Sequence, residues 1–319
     1  MTQVLVLLTM PEAVRMQYRD GILARFPEVT VNVVDHHSKI DPYIDSADVL
    51  MTFGPMMSDD VLARAPNLKW IQALGTGVDG IIDRPSLGKN VIVTNLHGVH
   101  GPPVSEAAFM SMLALSRQLP RSVRNQVAHV WDRFPARLLK EKTVGIFGIG
   151  VIAEELAPKC KAFGMKVVGI SSVKREVAGF DTVYARDDLL EAVRGLDYLV
   201  LLTPLSPATH KSVDARVLAA MKPTSYLINL ARGGVVDEAA LIDALKGKRI
   251  AGAALDVFAQ EPLPPDHPFW DLDNVIITTH QGGFCDVYVK FAMPVIEQNL
   301  RKFLAGDAAG MINLVQRQA

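Results

Sequence analysis

Short apolar runs alternate along most of the chain with longer stretches in which apolar residues recur every three or four positions. In the first third, residues 3–8, 30–34, 47–52, 70–74 and 91–95 read as strands. Helices are predicted over 11–26, with Pro11 near the first turn, and over 59–65. The runs lack polar alternation, as strands covered on both faces should. Strand and helix follow each other at short spacing, which predicts an open parallel α/β sheet. Pro102 and Pro103 then open a long apolar helix over 104–119. It could join two domains, form a dimer face or lie in a core. A second helix is predicted over 121–131. The pattern resumes with strands at 143–147, 166–170, 197–202, 225–230, 250–255 and 275–278. Helices are predicted over 151–163, 216–221 and 237–246. A last helix, 294–304, is expected to return to the first domain. No internal repeat or low-complexity segment is seen.

One corner in this pattern carries chemistry. The strand 143–147 runs into Gly148-Ile-Gly-Val-Ile-Ala153 and then into a helix that stops at Gly164, followed by the strand 166–170. This is a βαβ unit with the dinucleotide fingerprint G-x-G-x-x-G/A. Gly148 permits the tight turn, and Gly150 lets a pyrophosphate approach the backbone. Ala153 still allows close packing of helix on strand. The helix N-terminus offers N–H groups and partial positive charge to phosphates.

Composition narrows the classes. The chain has 319 residues, enough for two ordinary domains, and 49% of them are hydrophobic. A formal net charge of −1 gives no argument for nucleic acid or an acidic surface as partner. The two cysteines, Cys160 and Cys285, lack metal-ligand spacing and read as small hydrophobes in a reducing compartment. No metal site is expected. The first nine residues have no basic leader and precede Pro11, so they read as a strand, not a signal peptide. No apolar run reaches the length that spans a bilayer. A cytoplasmic protein with no membrane partner is expected.

Ligands of an open α/β sheet bind beyond the carboxyl ends of its strands. Thr203, Arg232, Asp256 and His280 all fall at predicted strand ends, and Glu261 lies in the loop after Asp256. Each has a plain reading: a helix cap for Arg232, a solvated loop acid for Glu261, a satisfied structural histidine for His280. Five such positions on one edge make independent accidents improbable. In the first half, Gly75 and Gly77 also follow a strand. They could cradle a small anion or form an ordinary tight turn.

Together these stretches resemble the D-isomer-specific 2-hydroxyacid dehydrogenase family over essentially the whole chain. The resemblance rests on Gly75-Thr-Gly-Val-Asp79, the fingerprint at 148–153, Leu202-Thr-Pro-Leu-Ser206 and Met221-Lys-Pro-Thr224. It continues through Asn229-Leu-Ala-Arg-Gly-Gly-Val-Val-Asp237, Ala254-Leu-Asp-Val-Phe258 with Glu261 and Pro262, and His280-Gln-Gly-Gly283. It implies two open doubly wound parallel-sheet domains of α/β class. A Rossmann NAD(P)-binding domain would span 100–284, and a flavodoxin-like split substrate domain 1–99 with 285–319. It further implies a homodimer built mainly on the Rossmann domains, and a substrate held between the two domains.

The resemblance assigns Arg232, Glu261 and His280 as the catalytic three. Arg232 offers a permanent forked cation to a carboxylate and a carbonyl oxygen. His280 would give a proton in reduction and take one in oxidation. Glu261 would pair with it, fix its tautomer and favour its protonated form. The implied cofactor contacts are Gly148, Gly150, Val151, Ile152, Thr203, Pro204, Leu230, Ala231, Asp256 (against the nicotinamide carboxamide) and Gly282. Phe53, Thr76 and Gly77 join Arg232 and His280 on the substrate side. Two rivals share the fold. Formate dehydrogenases carry an amide where Glu261 stands, so the acid favours hydroxyacid chemistry. Nicotinamide-sensing corepressors keep the same three residues, but no appended tail follows the last predicted helix.

Two finer expectations concern ligands. Phosphoglycerate dehydrogenases of the family place a basic residue in the loop after the third strand. Here 52–57 reads Thr-Phe-Gly-Pro-Met-Met, which suits a small unphosphorylated 2-keto or 2-hydroxy acid such as glyoxylate or hydroxypyruvate. The acid that normally reads a ribose 2′-hydroxyl is missing after 166–170. Ser171, Ser172, Lys174 and Arg175 stand there instead and can meet a 2′-phosphate, so NADP(H) is expected over NAD(H).

Overall fold

The computed structural model describes residues 1–54 and 57–316. The chain divides into two compact units, Met1–Val99 with the segment from 286 onward, and His100–Cys285.

In the first unit the elements are β1 (Gln3–Leu7), α1 (Glu12–Arg25), β2 (Thr30–Val34), β3 (Val49–Thr52), α2 (Asp59–Ala63), β4 (Trp70–Ala73) and β5 (Ile92–Thr94). They form a parallel five-stranded sheet in the order β2-β1-β3-β4-β5. Parallel neighbours need crossovers, and α1 and α2 supply them. Val4 to Leu7, β3 and β4 are buried throughout, which explains their largely apolar character. Polar exceptions on β4 and β5 are paired. Trp70 Nε1 donates to Thr94 Oγ1 at 2.8 Å, and that hydroxyl donates to Gln72 Oε1 at 2.8 Å. Asn299, from the far end of the chain, donates to the same Gln72 oxygen at 3.2 Å. This buried network ties the C-terminal segment to the sheet.

The second unit contains α3 (Gly101–Ser116), α4 (Leu119–Val127), β6 (Thr143–Phe147), α5 (Val151–Ala162), β7 (Lys166–Ser171), β8 (Thr182–Ala185) and α6 (Leu189–Ala192). It continues with β9 (Tyr198–Leu201), α7 (Ala215–Ala220), β10 (Tyr226–Asn229), α8 (Glu238–Lys246), β11 (Gly252–Leu255) and β12 (Val275–Ile277). Its seven strands are all parallel, in the order β12-β11-β10-β9-β6-β7-β8. The strand order reverses between β6 and β9, the place where open α/β sheets bind ligands. Apolar clusters fill both faces, one around Phe147, Leu199, Leu227 and Phe258 and the other around Val144, Leu156, Tyr198 and Ile228.

Several element boundaries differ from expectation. The last helix, α9, runs over Tyr288–Leu304 and contains Pro294 instead of starting there. Buried Tyr288, Val289, Ala292, Ile296 and Leu300 give it one continuous apolar face through the proline, which offsets the lost hydrogen bond. The long helix ends at Ser116, because Gln118 adopts a left-handed φ of 52° before α4 begins. The second helix stops at Val127, which leaves Trp131 in an irregular segment and 93% exposed. β8 was absent from the sequence pattern: as a four-residue edge strand with only Val183 buried, it has no apolar run to announce it. Cys160 is buried, and burial pushes its thiol up to about 12, so it behaves as a hydrophobe. Among the described residues no helix is long and apolar enough to cross a membrane.

Candidate active site

Strand register brings the chemistry-bearing residues of the second unit to one edge. Phe147 pairs with Leu201, Leu201 with Asn229, Asn229 with Leu255 and Leu255 with Ile277. The residues after these, Gly148, Leu202 with Thr203, Leu230 to Arg232, Asp256 and Thr278 to His280, therefore lie along a single carboxyl edge.

At the β6 corner Gly148 has φ +104°, and a Cβ there would lie 2.6 Å from the Thr203 nitrogen. Only glycine tolerates that conformation and that approach to the end of β9. Gly150 plays a different part: a Cβ on it would meet nothing within 4 Å. Ala153 is fully buried beneath. A phosphate-bearing group fits this corner, since Gly150 opens α5, whose first N–H groups have no partner within the helix. Val151 is exposed, Ile152 is half-buried and Thr203 is buried, while Pro204 is exposed.

The predicted catalytic three occupy the loops after β10, β11 and β12. His280 Nδ1 lies 2.6 Å from Glu261 Oε2. The other carboxylate oxygen accepts the Phe258 N–H at 2.9 Å. A carboxylate can only accept here, so Nδ1 carries the proton and Nε2 is the atom left to exchange one. Burial pushes the Glu261 carboxyl up. The hydrogen bonds from His280 and Phe258 and the charges of His280 and Arg232 outweigh it, so the group sits below the ordinary glutamate value. It is ionised at neutral pH. His280 itself has a left-handed φ of 51°. Arg232 Nη1 donates to the Ala231 carbonyl at 2.7 Å.

The loops are braced from beneath. Asp256 is buried, and its Oδ1 accepts from Thr278 Oγ1 at 2.5 Å and from the Gln281 N–H at 3.0 Å. Its Oδ2 accepts the Gly282 N–H at 2.8 Å, and its carbonyl accepts the His280 N–H at 2.8 Å. The residue expected at the nicotinamide carboxamide thus also anchors the histidine loop. A Cβ on Gly233 would lie 1.9 Å from the Phe258 carbonyl carbon, so the arginine turn packs backbone on backbone against the turn that holds Glu261. Glu238 Oε1 accepts the Ala259 N–H at 2.7 Å from the other side. Thr278, Gln281, Gly233 and Glu238 act through such contacts. Chain position alone did not mark them as partners.

The 2′-phosphate candidates lie apart from this braced cluster. Ser171 ends β7, and its hydroxyl donates to the Val173 carbonyl at 2.6 Å, so its one proton is engaged locally. Ser172, Lys174 and Arg175 are exposed in the following loop. In the first unit, Asn95 Nδ2 donates to the Thr76 carbonyl at 2.8 Å, and the Leu96 N–H donates to that of Gly75 at 2.9 Å. These bonds hold the loop carrying Thr76 and Gly77. Phe53 is half-buried at the end of β3, and a Cβ on Gly75 would meet its ring at 3.5 Å. Pro55 and Met56, which belong to the expected apolar loop, lie outside the described residues.

A seven-stranded parallel sheet with a glycine corner at its switch point defines a dinucleotide-binding α/β protein. The comparisons with known proteins make this specific. Residues 109–282 match the NAD binding domain, and residues 5–183 the catalytic domain, of D-isomer specific 2-hydroxyacid dehydrogenases. The chain belongs to the D-isomer specific 2-hydroxyacid dehydrogenase family and carries that family's NAD-binding domain. It is 37% identical over 270 residues to D-3-phosphoglycerate dehydrogenase of Methanocaldococcus jannaschii, covering 83% of this chain and 51% of that protein. The chain spans about half the length of the phosphoglycerate dehydrogenases it matches. A family member from Aeromonas salmonicida has a similar structure, with TM-score 0.90, 32% identity and 99% of both chains covered. Another is the NADPH-dependent glyoxylate/hydroxypyruvate reductase of Sinorhizobium meliloti in complex with NADP and sulfate. There the TM-score is 0.84 and the identity 28%, with 99% of both chains covered.

Proposed function

We propose that the protein is an NADPH-dependent reductase of small, unphosphorylated 2-keto acids, of the glyoxylate or hydroxypyruvate type, yielding D-2-hydroxy acids. The observation that carries the chemistry is the 2.6 Å contact of His280 with an ionised Glu261, on the strand edge that also bears Arg232. When bound, the reduced nicotinamide supplies the hydride. Arg232 holds the carboxylate and polarises the carbonyl with its forked guanidinium. His280 delivers the proton from Nε2 to the carbonyl oxygen, where the π pair displaced by the incoming hydride becomes the new O–H bond. Glu261 keeps the Nδ1 proton and balances the imidazolium charge. Oxidation runs the same path backwards. Phe53, Thr76 and Gly77 are assigned to the substrate on the family resemblance alone.

Cofactor choice is assigned to Ser172, Lys174 and Arg175, with Ser171 supporting the loop. No acidic side chain stands among residues 171–175 to repel a 2′-phosphate. The NADP-bound structure of the Sinorhizobium reductase supports the same choice. A homodimer is supported by α4, which has no buried residue and exposes Leu119, Val123 and Val127, followed by exposed Val130 and Trp131.

A second reading, oxidation of 3-phosphoglycerate, is favoured by the relatives of that name. Against it, Phe53, Gly54, Met57 and Ser58, the described residues of the loop after β3, include no cation. Initial rates with glyoxylate, hydroxypyruvate, bulkier 2-keto acids and 3-phosphoglycerate, each with both cofactors, test the proposal. Efficient turnover of 3-phosphoglycerate and little of the keto acids would overturn it.

A further inference from the structure

Asn229 is 2% exposed at the end of β10, three residues before Arg232. Its side chain bridges the turn that follows. Nδ2 donates to the Arg232 carbonyl at 3.1 Å, and Oδ1 accepts the Ala231 N–H at 3.1 Å. Its backbone carbonyl accepts the Asp256 N–H at 3.0 Å from the neighbouring strand end. Immediately after the turn, Gly233 abuts the Phe258 backbone. The arginine's main chain is thus held on one side by a buried amide and on the other by a backbone that cannot yield. A buried amide with both ends used is costly to replace, and its two bonds define the course of residues 229–232.

We propose that Asn229 is a positioning residue for Arg232, setting the direction from which the guanidinium meets a substrate carboxylate. The proposal rests on the carboxylate-binding role assigned to Arg232 above. A serine or leucine at this strand end would leave the Ala231 N–H or the Arg232 carbonyl without its partner, and the turn would open. An arginine displaced by about 1 Å can cost on the order of 100-fold in a clamped geometry.

The test uses Asn229→Ala and Asn229→Asp, with Arg232→Ala as control. The aspartate keeps an acceptor for the Ala231 N–H but sets a carboxylate oxygen against the Arg232 carbonyl at a buried position, so it should disturb the turn at least as much as alanine. The probe is oxamate, an unreactive isostere of a 2-keto acid, titrated into the enzyme saturated with NADPH. Oxamate affinity should fall about 10- to 100-fold in Asn229→Ala and at least as much in Asn229→Asp, while the NADPH Kd stays within about twofold. Keto-acid KM should rise more than kcat falls. Unchanged oxamate binding in a folded Asn229→Ala protein, or loss of NADPH binding in the same proportion, overturns the proposal. Hydrogen exchange over 229–236 separates this idea from the functional reading. If the native protein, or the native and Arg232→Ala proteins alike, ignore oxamate, the substrate assignment fails. The clamp is then decided by exchange alone: faster exchange in Asn229→Ala sustains it, and unchanged exchange sinks it.

Discussion

The loops after β10, β11 and β12 and the loop after β7 sit on the same sheet and are built in opposite ways. In the first group nearly every polar atom is spoken for. Asp256 takes three donors, Glu261 joins His280 to the Phe258 N–H, and Asn229 closes the arginine turn. In the second, the Ser171 hydroxyl makes one local bond, and Ser172, Lys174 and Arg175 extend into solvent. The contrast separates two demands. Proton and carboxylate chemistry need atoms held to a fraction of an ångström, so they rest on strand ends and buried partners. Reading a 2′-phosphate needs charge of the right sign nearby, which flexible side chains supply at little structural cost. Changes in the first region should therefore be severe and coupled, and changes in the second graded and separable.

The largest effect tests the rigid side. His280→Ala should lower kcat by about 10²- to 10⁴-fold while leaving the cofactor Kd nearly unchanged, as stopped-flow and equilibrium titration would show. An active variant would remove the catalytic assignment. Next comes the solvated loop. Lys174→Ala combined with Arg175→Ala should cut the NADPH-over-NADH ratio of kcat/KM by about 10- to 100-fold, one charged hydrogen bond being worth about 1.5–3 kcal/mol. The keto-acid KM should hardly move. A native preference for NADH, or an NADPH preference indifferent to both changes, would show that the loop does not read the phosphate.

A smaller, pH-dependent effect is expected from Glu261→Gln. An amide cannot balance the imidazolium charge, so the alkaline limb of the kcat/KM profile for reduction should move to lower pH. An unmoved profile counts against the pairing. Stability carries a matching signature. The Glu261 carboxyl is held below its ordinary value, so its contribution is complete above the unfolded-state glutamate pKa. It is lost as pH falls through the folded one. The Tm gap between native protein and Glu261→Gln should accordingly be widest near neutrality and close in acid. Smallest of all, Ser171→Ala should change the cofactor ratio by less than about threefold, because its hydroxyl proton already serves Val173. A larger loss would mean that Ser171 turns toward the cofactor.

Much of this site could be read in the chain before any coordinates. The corner at Gly148 was legible because a φ of +104° and a backbone contact admit no other residue, and such constraints act at single positions. The two sheets were legible because strands covered on both faces must be largely apolar, as β3, β4, β9, β10 and β11 are, with Thr52, Gln72 and Asn229 as buried polar exceptions. β8 was not, since an edge strand buries too little to be patterned. The ends of α3, α4 and α9 were also missed: a left-handed Gln118 cuts α3 short, α4 stops at Val127, and tertiary packing carries α9 through Pro294.

The sequence by itself determined the α/β class, the dinucleotide corner and the short set of polar residues at strand ends, since each follows from local sterics or from burial along one element. Only the tertiary structure decided which of those residues meet. The parallel register puts Asn229 beside Leu255 and Leu255 beside Ile277, and so sets three loops from distant parts of the chain next to each other. That juxtaposition shows Asp256 as the anchor of the His280 loop, Gly233 as the seat of the Phe258 turn and Asn229 as the clamp on Arg232. These are through-space hydrogen bonds and contacts between strand ends. Their partners are chosen by sheet pairing, which no stretch of one strand encodes alone.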